Sequence, residues 1–92
     1  MKPAVHLSFS SALQRHVPCP AQTVEAGTVR EALERAFDRE PRLRGYLLDD
    51  QGALRKHMAV FVNGAAVRDR RGLADPVEGG SEIAVIQALS GG

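Results

Sequence analysis

One amphipathic segment between Thr28 and Pro41 most constrains how this chain of 92 residues can fold. Thr28 and Glu31 have capping-box spacing, in which the Thr hydroxyl accepts from the N–H of Glu31 and the Glu carboxylate accepts from the N–H of Thr28. Pro41 disfavours helical geometry at Glu40, which limits the helix to about three turns. Its apolar stripe consists of Val29, Leu33, Ala36 and Phe37. The helix is therefore expected to pack with one face on another element.

The segment before this helix has the pattern of two strands. Val5, Leu7 and Phe9 alternate with polar residues, as in a half-buried strand. Residues 22–25 have strand character and precede the Ala-Gly pair before the helix. A turn joins the two segments, so the sequence predicts that a hairpin opens the domain.

The sequence after the helix predicts three further strands. Residues 42–56 predict a long ordered connection with one short helical turn. Residues 57–62 predict a strand, and Asn63-Gly64 predicts a tight turn into a short strand over 65–68. Residues 82–89 predict a final strand without clean alternation, so we expect it to lie centrally, covered on much of both faces.

This order of elements predicts an α+β fold: a mixed sheet of four to five strands with one main helix packed on one face. The first and last strands are expected to be adjacent and parallel. A chain of this length forms one compact core. We therefore expect a single domain over residues 1–89 and a flexible Ser-Gly-Gly tail over residues 90–92.

Charge and hydropathy argue against several classes of partner. The 12 Lys and Arg residues against 11 Asp and Glu give a net charge of +1, too little to supply the counterion release that drives nucleic-acid binding. The longest apolar run, residues 58–62, is far shorter than the roughly 20 residues of a membrane span, and no secretory signal is recognisable. The one cysteine favours no oxidising compartment. We expect a cytoplasmic protein that binds neither nucleic acid nor membrane.

The chain ends in Gly91-Gly92, directly after the predicted final strand. Because glycine lacks a Cβ atom, such a tail can thread a narrow cleft. A terminal carboxylate is ionised at neutral pH and is a poor electrophile. Acyl chemistry there needs prior activation, most simply as an acyl-adenylate made from ATP by another protein. A frayed tail without function is the alternative interpretation.

Several motifs together resemble the MoaD/ThiS family of ubiquitin-like sulfur carriers over nearly the whole chain. They are the Thr-capped helix, Val60-Phe61-Val62-Asn63-Gly64, Val67-Arg68, the Leu73 loop, the glycine turn before Glu82-Ile83-Ala84-Val85-Ile86, and Gly91-Gly92. The resemblance implies a β-grasp fold. It also implies that Gly92 is adenylated by a ubiquitin-activating-type enzyme and converted to a thiocarboxylate, with Ser90 and Gly91 presenting the tail. ATP is then used by that partner, no cofactor is bound, and a biosynthetic enzyme accepts the sulfur.

Two positions depart from the family pattern. Gly80-Ser81-Glu82 stands where the family often has Gly-Asp-Glu, and Ser90 stands where it often has a small aliphatic residue. The long connection over residues 42–56 looks more like MoaD and CysO, which supplies sulfur for cysteine synthesis, than the compact ThiS type. The resemblance therefore favours a CysO-like carrier, with cysteine or molybdopterin biosynthesis as its pathway.

Two other functions are compatible with the same sequence. A ubiquitin-like modifier would use activated Gly92 to form isopeptide bonds with lysines of target proteins. A non-covalent adaptor would not use the tail at all. In the carrier interpretation the chain is no enzyme, has no catalytic group of its own, and acts as a co-substrate of its partners.

Two further sets of residues are candidates for partner docking. An apolar set on the sheet face that the helix leaves uncovered would form a docking patch, although core packing explains it at least as well. This set is Phe61, Val85 and Leu89. A basic cluster favours a solvated loop, with docking to an acidic partner as the alternative. The cluster is Arg68, Arg70 and Arg71.

Cys19 and the three histidines offer weaker candidates. His16 precedes Cys19 by three residues, so the two could act as base and nucleophile. No orienting partner is visible for them, and a buried or incidental thiol is favoured. His6, His16 and His57 lack metal-ligand spacing, so the sequence predicts no metal site.

Overall fold

The computed structural model describes residues 2–88. Within that range the elements are β1 (Ala4–Phe9), α1 (Ser11–Gln14), β2 (Gln22–Glu25), α2 (Val29–Arg39), α3 (Arg42–Leu47), β3 (Met58–Val62), β4 (Ala65–Ala66) and β5 (Glu82–Gln87). The strands form one sheet in the order β2-β1-β5-β3-β4. β1 and β5 are parallel neighbours, and the other pairs are antiparallel. The mixed sheet with adjacent, parallel first and last strands confirms the sequence prediction.

The main helix, α2, forms where the sequence predicts it. The hydroxyl of Thr28 accepts from the N–H of Glu31 at 3.2 Å. The Glu31 carboxylate accepts from the N–H of Gly27 at 2.7 Å rather than from Thr28, so this part of the predicted capping box is displaced by one residue. Its other oxygen pairs with Lys2, which ties the start of the chain to the start of the helix. The buried face of α2 consists of Val29, Ala32, Leu33, Ala36 and Phe37.

The connection between β1 and β2 contains a helix that the sequence did not predict. The strands pair antiparallel as expected, but α1 follows β1 directly. Four residues are too short to show helical periodicity. Tertiary contacts hold α1 instead, because Leu13 is fully buried and the Gln14 side chain donates to the carbonyl of Phe9 at 3.0 Å.

The second half of the chain follows the prediction with shorter strands. α3 confirms a short helical turn between residues 42 and 56. Asn63 and Gly64 both have positive φ, 52° and 87°, as a tight hairpin turn requires. β4 ends at Ala66 instead of reaching residue 68. The backbone N–H groups of residues 68 and 69 instead donate to the carboxylate of Asp75, at 2.9 Å each. These two residues are therefore not part of the sheet.

β5 lies at the centre of the sheet, as predicted, but only one of its faces is covered. Ile83 and Val85 are fully buried towards α2, whereas Ile86 on the opposite face is 38% exposed. The expectation that much of both faces is covered is therefore wrong, because α2 packs on one side only. β5 ends at Gln87, one residue short of the last described residue, so the predicted strand is too long at Ala88, and residue 89 lies outside the described residues. None of the helices described over residues 2–88 has the length and apolar character of a membrane span.

Candidate functional site

The described chain ends beside the beginning of β3. Gln87 is paired with Met58, and the N–H of Ala88 donates to the carbonyl of His57 at 2.8 Å. On the other side, the N–H of Gln87 donates to the hydroxyl of Ser10 at 3.1 Å. The last residues of the sheet are therefore held from both sides. We call Gln87 and Ala88 the tail root, because the predicted tail follows them.

The residues predicted to act covalently lie beyond the tail root. Ser90, Gly91 and Gly92 fall outside the described residues, and so does Leu89 of the predicted docking set. Their roles stay predictions. The structure gives the position from which this part of the chain starts, at the end of the central strand.

The three arginines of the basic cluster have different surroundings. Arg70 is exposed, but its guanidinium binds the backbone: its Nη2 donates at 2.8 Å to the carbonyls of both Arg55 and Met58. These carbonyls bound a turn, residues 55–58, that is closed by a 3.0 Å bond from the N–H of Met58 to the carbonyl of Arg55. Within residues 2–88 the side chains of Arg68 and Arg71 make no hydrogen bond or ion pair, and both residues are exposed. The solvated-loop interpretation therefore describes Arg68 and Arg71, whereas Arg70 supports the turn that holds the tail root.

Two carboxylates organise the loop that carries these arginines. The N–H groups of Arg68 and Asp69 donate to Asp75 and lower the pKa of its carboxyl group. The carboxylate of Asp69 accepts from the N–H groups of Gly72 and Ala74, which lower its pKa in turn. The loop is thus ordered by ionised carboxylates bonded to its own backbone.

The sheet face opposite α2 carries a small apolar patch. On β3, Phe61 lies opposite Ala84 of β5 and opposite Ala66 of β4. Ala59 of β3 lies opposite Ile86 of β5. The open-face patch is Ala59, Phe61, Ala66, Ala84 and Ile86.

This register divides the predicted apolar docking set. Phe61 is half-buried on the open face, as the docking interpretation requires. Val85 is fully buried on the α2 side, so its inclusion was wrong: alternation along β5 turns it towards the helix. The sequence-based docking set did not include Ile86. Because side chains alternate along a strand, Ile86 must face away from α2 once Val85 is known to face it.

Cys19 is enclosed rather than reactive. It is 2% exposed, and burial, followed by the nearby charge of Glu40, raises the pKa of its thiol. The thiolate needed for nucleophilic attack is therefore disfavoured. This confirms the expectation of a buried thiol.

Two of the histidines, His6 and His16, make separate surface contacts. His16 stacks on Tyr46 with ring centroids 5.8 Å apart, and Nδ1 of His6 lies 3.1 Å from the hydroxyl of Thr23. Over residues 2–88, no three His, Cys, Asp or Glu side chains are grouped to bind a metal ion.

The sheet order, the single main helix and the central position of β5 define a ubiquitin-like protein of β-grasp fold, as the sequence resemblance implied. The chain belongs to the ThiS family, whose model matches residues 15–92. A comparison with curated protein sequences gives no significant match.

Solved structures with the same fold cover almost the entire chain. SAMP1 from Haloferax volcanii is 25% identical with a TM-score of 0.81, over 97% of this chain and 99% of that one. A chain of the Amycolatopsis orientalis BexX/CysO complex is 27% identical with a TM-score of 0.76, over 96% and 99%. Urm1 from Trypanosoma brucei, at 18% identity and a TM-score of 0.68 over 99% and 97%, shares the fold.

Proposed function

We propose that this chain is a sulfur carrier whose Gly92 carboxylate is the site of attachment. The observation that carries the proposal is the ThiS family match, which extends over residues 15–92 and so includes Gly91-Gly92. The central strand leads directly into this segment, and hydrogen bonds hold the tail root on both sides: one to the carbonyl of His57 and one to the hydroxyl of Ser10. This arrangement supports a rigid domain that presents a narrow reactive end to partner proteins.

The chemistry requires two partners and no catalytic group on the carrier. An adenylating enzyme of the ubiquitin-activating type binds ATP, and the Gly92 carboxylate attacks the α-phosphorus, so that pyrophosphate leaves. Hydrosulfide then attacks the acyl carbon, a C–S bond forms and the C–O bond to AMP breaks, giving the thiocarboxylate. A biosynthetic enzyme accepts the sulfur. The carrier is consumed and regenerated as a co-substrate.

The open-face patch is the surface that we propose for docking these partners. Phe61 and Ile86 supply its large side chains, and Ile86 lies one residue before the tail root. A partner seated there would have the tail close to its own active site. The similarity to a chain of the BexX/CysO complex supports a carrier that works with a separate enzyme, with cysteine-type sulfur transfer as the first pathway to test and the molybdopterin type as the second.

Intact mass measurement tests the carrier chemistry. Protein purified from its native host is expected to contain a species in which one oxygen of Gly92 is replaced by sulfur, and alkylation should modify that sulfur. Deleting Gly91 and Gly92 should abolish sulfur donation and leave the thermal midpoint nearly unchanged, because these residues follow the last strand. Ser90→Ala, which keeps both glycines, is the matched control. Sulfur donation by the deletion variant would contradict the proposal.

A protein modifier is the second candidate function, favoured by the similarity to SAMP1, a small archaeal modifier protein by its description. The activation step would be the same, with target lysines attacking the activated Gly92. A ladder of lysine-linked conjugates in native extract, lost when Gly91 and Gly92 are deleted, would identify this function. Partners that bind the deletion variant as tightly as the full chain, independently of ATP, would identify a non-covalent adaptor instead.

A further inference from the structure

The strands described over residues 4–87 contain no lysine and no arginine, but they do contain two carboxylates, Glu25 of β2 and Glu82 of β5. Both glutamates are exposed. Their neighbours Val24 and Ile83 are buried towards α2, so alternation along each strand places the two carboxylates on the open face. The ion pairs found within residues 2–88 use other carboxylates, those of Glu31, Glu34 and Glu40. The open face of the sheet therefore carries negative charge that these pairs do not neutralise.

Glu82 lies in a row of polar side chains that crosses three strands of this face. His6 of β1 is paired with Thr23 of β2 on one side and with Glu82 of β5 on the other. Nδ1 of His6 lies 3.1 Å from the hydroxyl of Thr23, whereas the carboxylate of Glu82 makes no hydrogen bond or ion pair with the described residues. A depression of about 450 Å³ lies over this row and is also lined by Ser8 and Gln22. This volume is ample for one side chain of a partner.

Hydrogen bonds fix the backbone that carries this carboxylate. The N–H of Glu82 donates to the side-chain oxygen of Asn63 at 2.9 Å, and its carbonyl accepts from the N–H of Asn63 at 2.8 Å. On the other side, the N–H of His6 donates to the carbonyl of Ser81 at 2.9 Å. A partner that binds the carboxylate therefore has to order only one side chain, which keeps the entropic cost of binding low.

The polar row is directly adjacent to the open-face patch. The next row along the strands consists of Ser8, Ala84, Phe61 and Ala66, which are neighbours in register. Two residues along a strand span about 7 Å and neighbouring strands lie about 4.8 Å apart, so the Cα atoms of Glu82 and Phe61 are about 8 Å from each other. A partner surface that covers Phe61 therefore covers Glu82 as well.

Covering the carboxylate of Glu82 is costly for a partner that brings no cation. A charge that is removed from water loses its hydration, and this loss is offset only by pairing and hydrogen bonding. A guanidinium supplies both, because its parallel N–H groups match the two oxygens of a carboxylate. A neutral or acidic surface at the same place would leave the charge unpaired and would be rejected.

We propose that Glu82 selects partner proteins that present an arginine or a lysine beside an apolar side chain. The apolar side chain packs on the open-face patch, and the cation enters the depression next to His6 and pairs with the Glu82 carboxylate. This inference deepens the docking step of the proposed function and rests on it. It makes Glu82 a specificity-determining residue, because a partner that fits the apolar patch alone is disfavoured.

A peptide titration, followed in amide NMR spectra of the full chain, tests the proposal. The probe is a capped pentapeptide with a central arginine, an alanine on each side of it and a leucine at each end, so that an apolar side chain lies two residues from the cation. We expect chemical-shift changes at the amides of His6, Ser8 and Ala84. A central glutamine in the peptide should weaken binding at least threefold, and Glu82→Gln should weaken binding of the arginine peptide by a similar factor, as for the loss of a partly exposed ion pair.

Asp38→Asn is the matched control. It removes the same charge from α2, where Asp38 is exposed and its side chain makes no hydrogen bond or ion pair within residues 2–88, so the variant should bind the arginine peptide as tightly as the unchanged chain. Thermal midpoints verify that both variants fold. Equal affinity for the arginine and glutamine peptides, full affinity in Glu82→Gln, or shift changes that are absent or confined to the helices would overturn the proposal. Absence of a thiocarboxylate in native protein would overturn the carrier function and leave the titration result unchanged.

Discussion

Arg70 shows how one side chain connects a surface loop to the tail root. Its guanidinium donates to the carbonyls at both ends of the 55–58 turn. The carbonyl of His57, inside that turn, accepts from Ala88. An arginine on the loop after β4 therefore supports the backbone on which the last residues of the sheet depend.

We expect Arg70→Ala to lower the free energy of unfolding by about 1–2 kcal/mol, because two backbone carbonyls lose a charged donor. Urea unfolding measures this loss. Hydrogen exchange at the Ala88 amide should also become faster than in the unchanged chain, since the turn that accepts its hydrogen bond is loosened.

Arg71→Ala is the control for this prediction. Its side chain makes no hydrogen bond within the described residues, so the change in stability should stay within about 0.5 kcal/mol. Equal losses from the two substitutions would show that Arg70 has no anchoring role.

The sequence could not separate these arginines from one another. Arg70 and Arg71 are identical neighbours, and what distinguishes them is the pair of carbonyl acceptors, 15 and 12 residues earlier in the chain, that Arg70 reaches. The same holds for Phe61 and Val85. Both are apolar strand residues, and only the register of β3 and β5 decides which one faces the open side.

Among the elements, those with local signals were predicted and those made by tertiary contacts were not. The Thr28 cap, the limit at Pro41 and the Asn63-Gly64 turn each depend on a few adjacent residues, and all three form. α1 depends on the burial of Leu13, and the end of β4 depends on the carboxylate of Asp75. Neither of these contacts is recognisable from spacing alone.

Two glycines give a matched test of these local signals. Gly64 has a φ of 87°. Gly45 lies within α3, where a methyl side chain would have no atom within 4 Å beyond its chain neighbours and the helix backbone. Gly64→Ala should cost about 1–2 kcal/mol because an L side chain in the left-handed region is strained. Gly45→Ala should gain about 0.5–1 kcal/mol because alanine loses less backbone entropy in a helix. Urea midpoints that shift in the same direction would contradict this assignment of the hairpin turn.

At the scale of the whole molecule, ionised carboxylates bonded to backbone N–H groups make stability depend on acid. The pKa values of Asp69 and Asp75 are lowered in the folded chain by these hydrogen bonds. A depressed folded pKa contributes stability that is fully present above the unfolded value, about 3.9. That stability is lost as the pH falls through the folded pKa.

The unfolding free energy is therefore expected to be nearly constant from neutral pH down to about pH 5 and to fall steadily below about pH 4. Urea titrations at successive pH values measure this dependence. Asp75→Asn keeps an oxygen acceptor for the loop but cannot titrate, so its profile below pH 4 should be flatter than that of the unchanged chain. An identical slope in the two proteins would show that the Asp75 carboxylate does not contribute.

The position of β5 has a consequence for how the protein is made. β5 is the last strand along the described chain, yet it lies between β1 and β3 and is the neighbour that joins them. Synthesis runs from the N-terminus, so a nascent chain holds two separate strand pairs until residue 87 is available. Truncated products lack the strand that completes the sheet. A partner that recognises the finished open face would therefore bind only chains that have been translated through β5, so that folding of the sheet itself distinguishes these chains from shorter products.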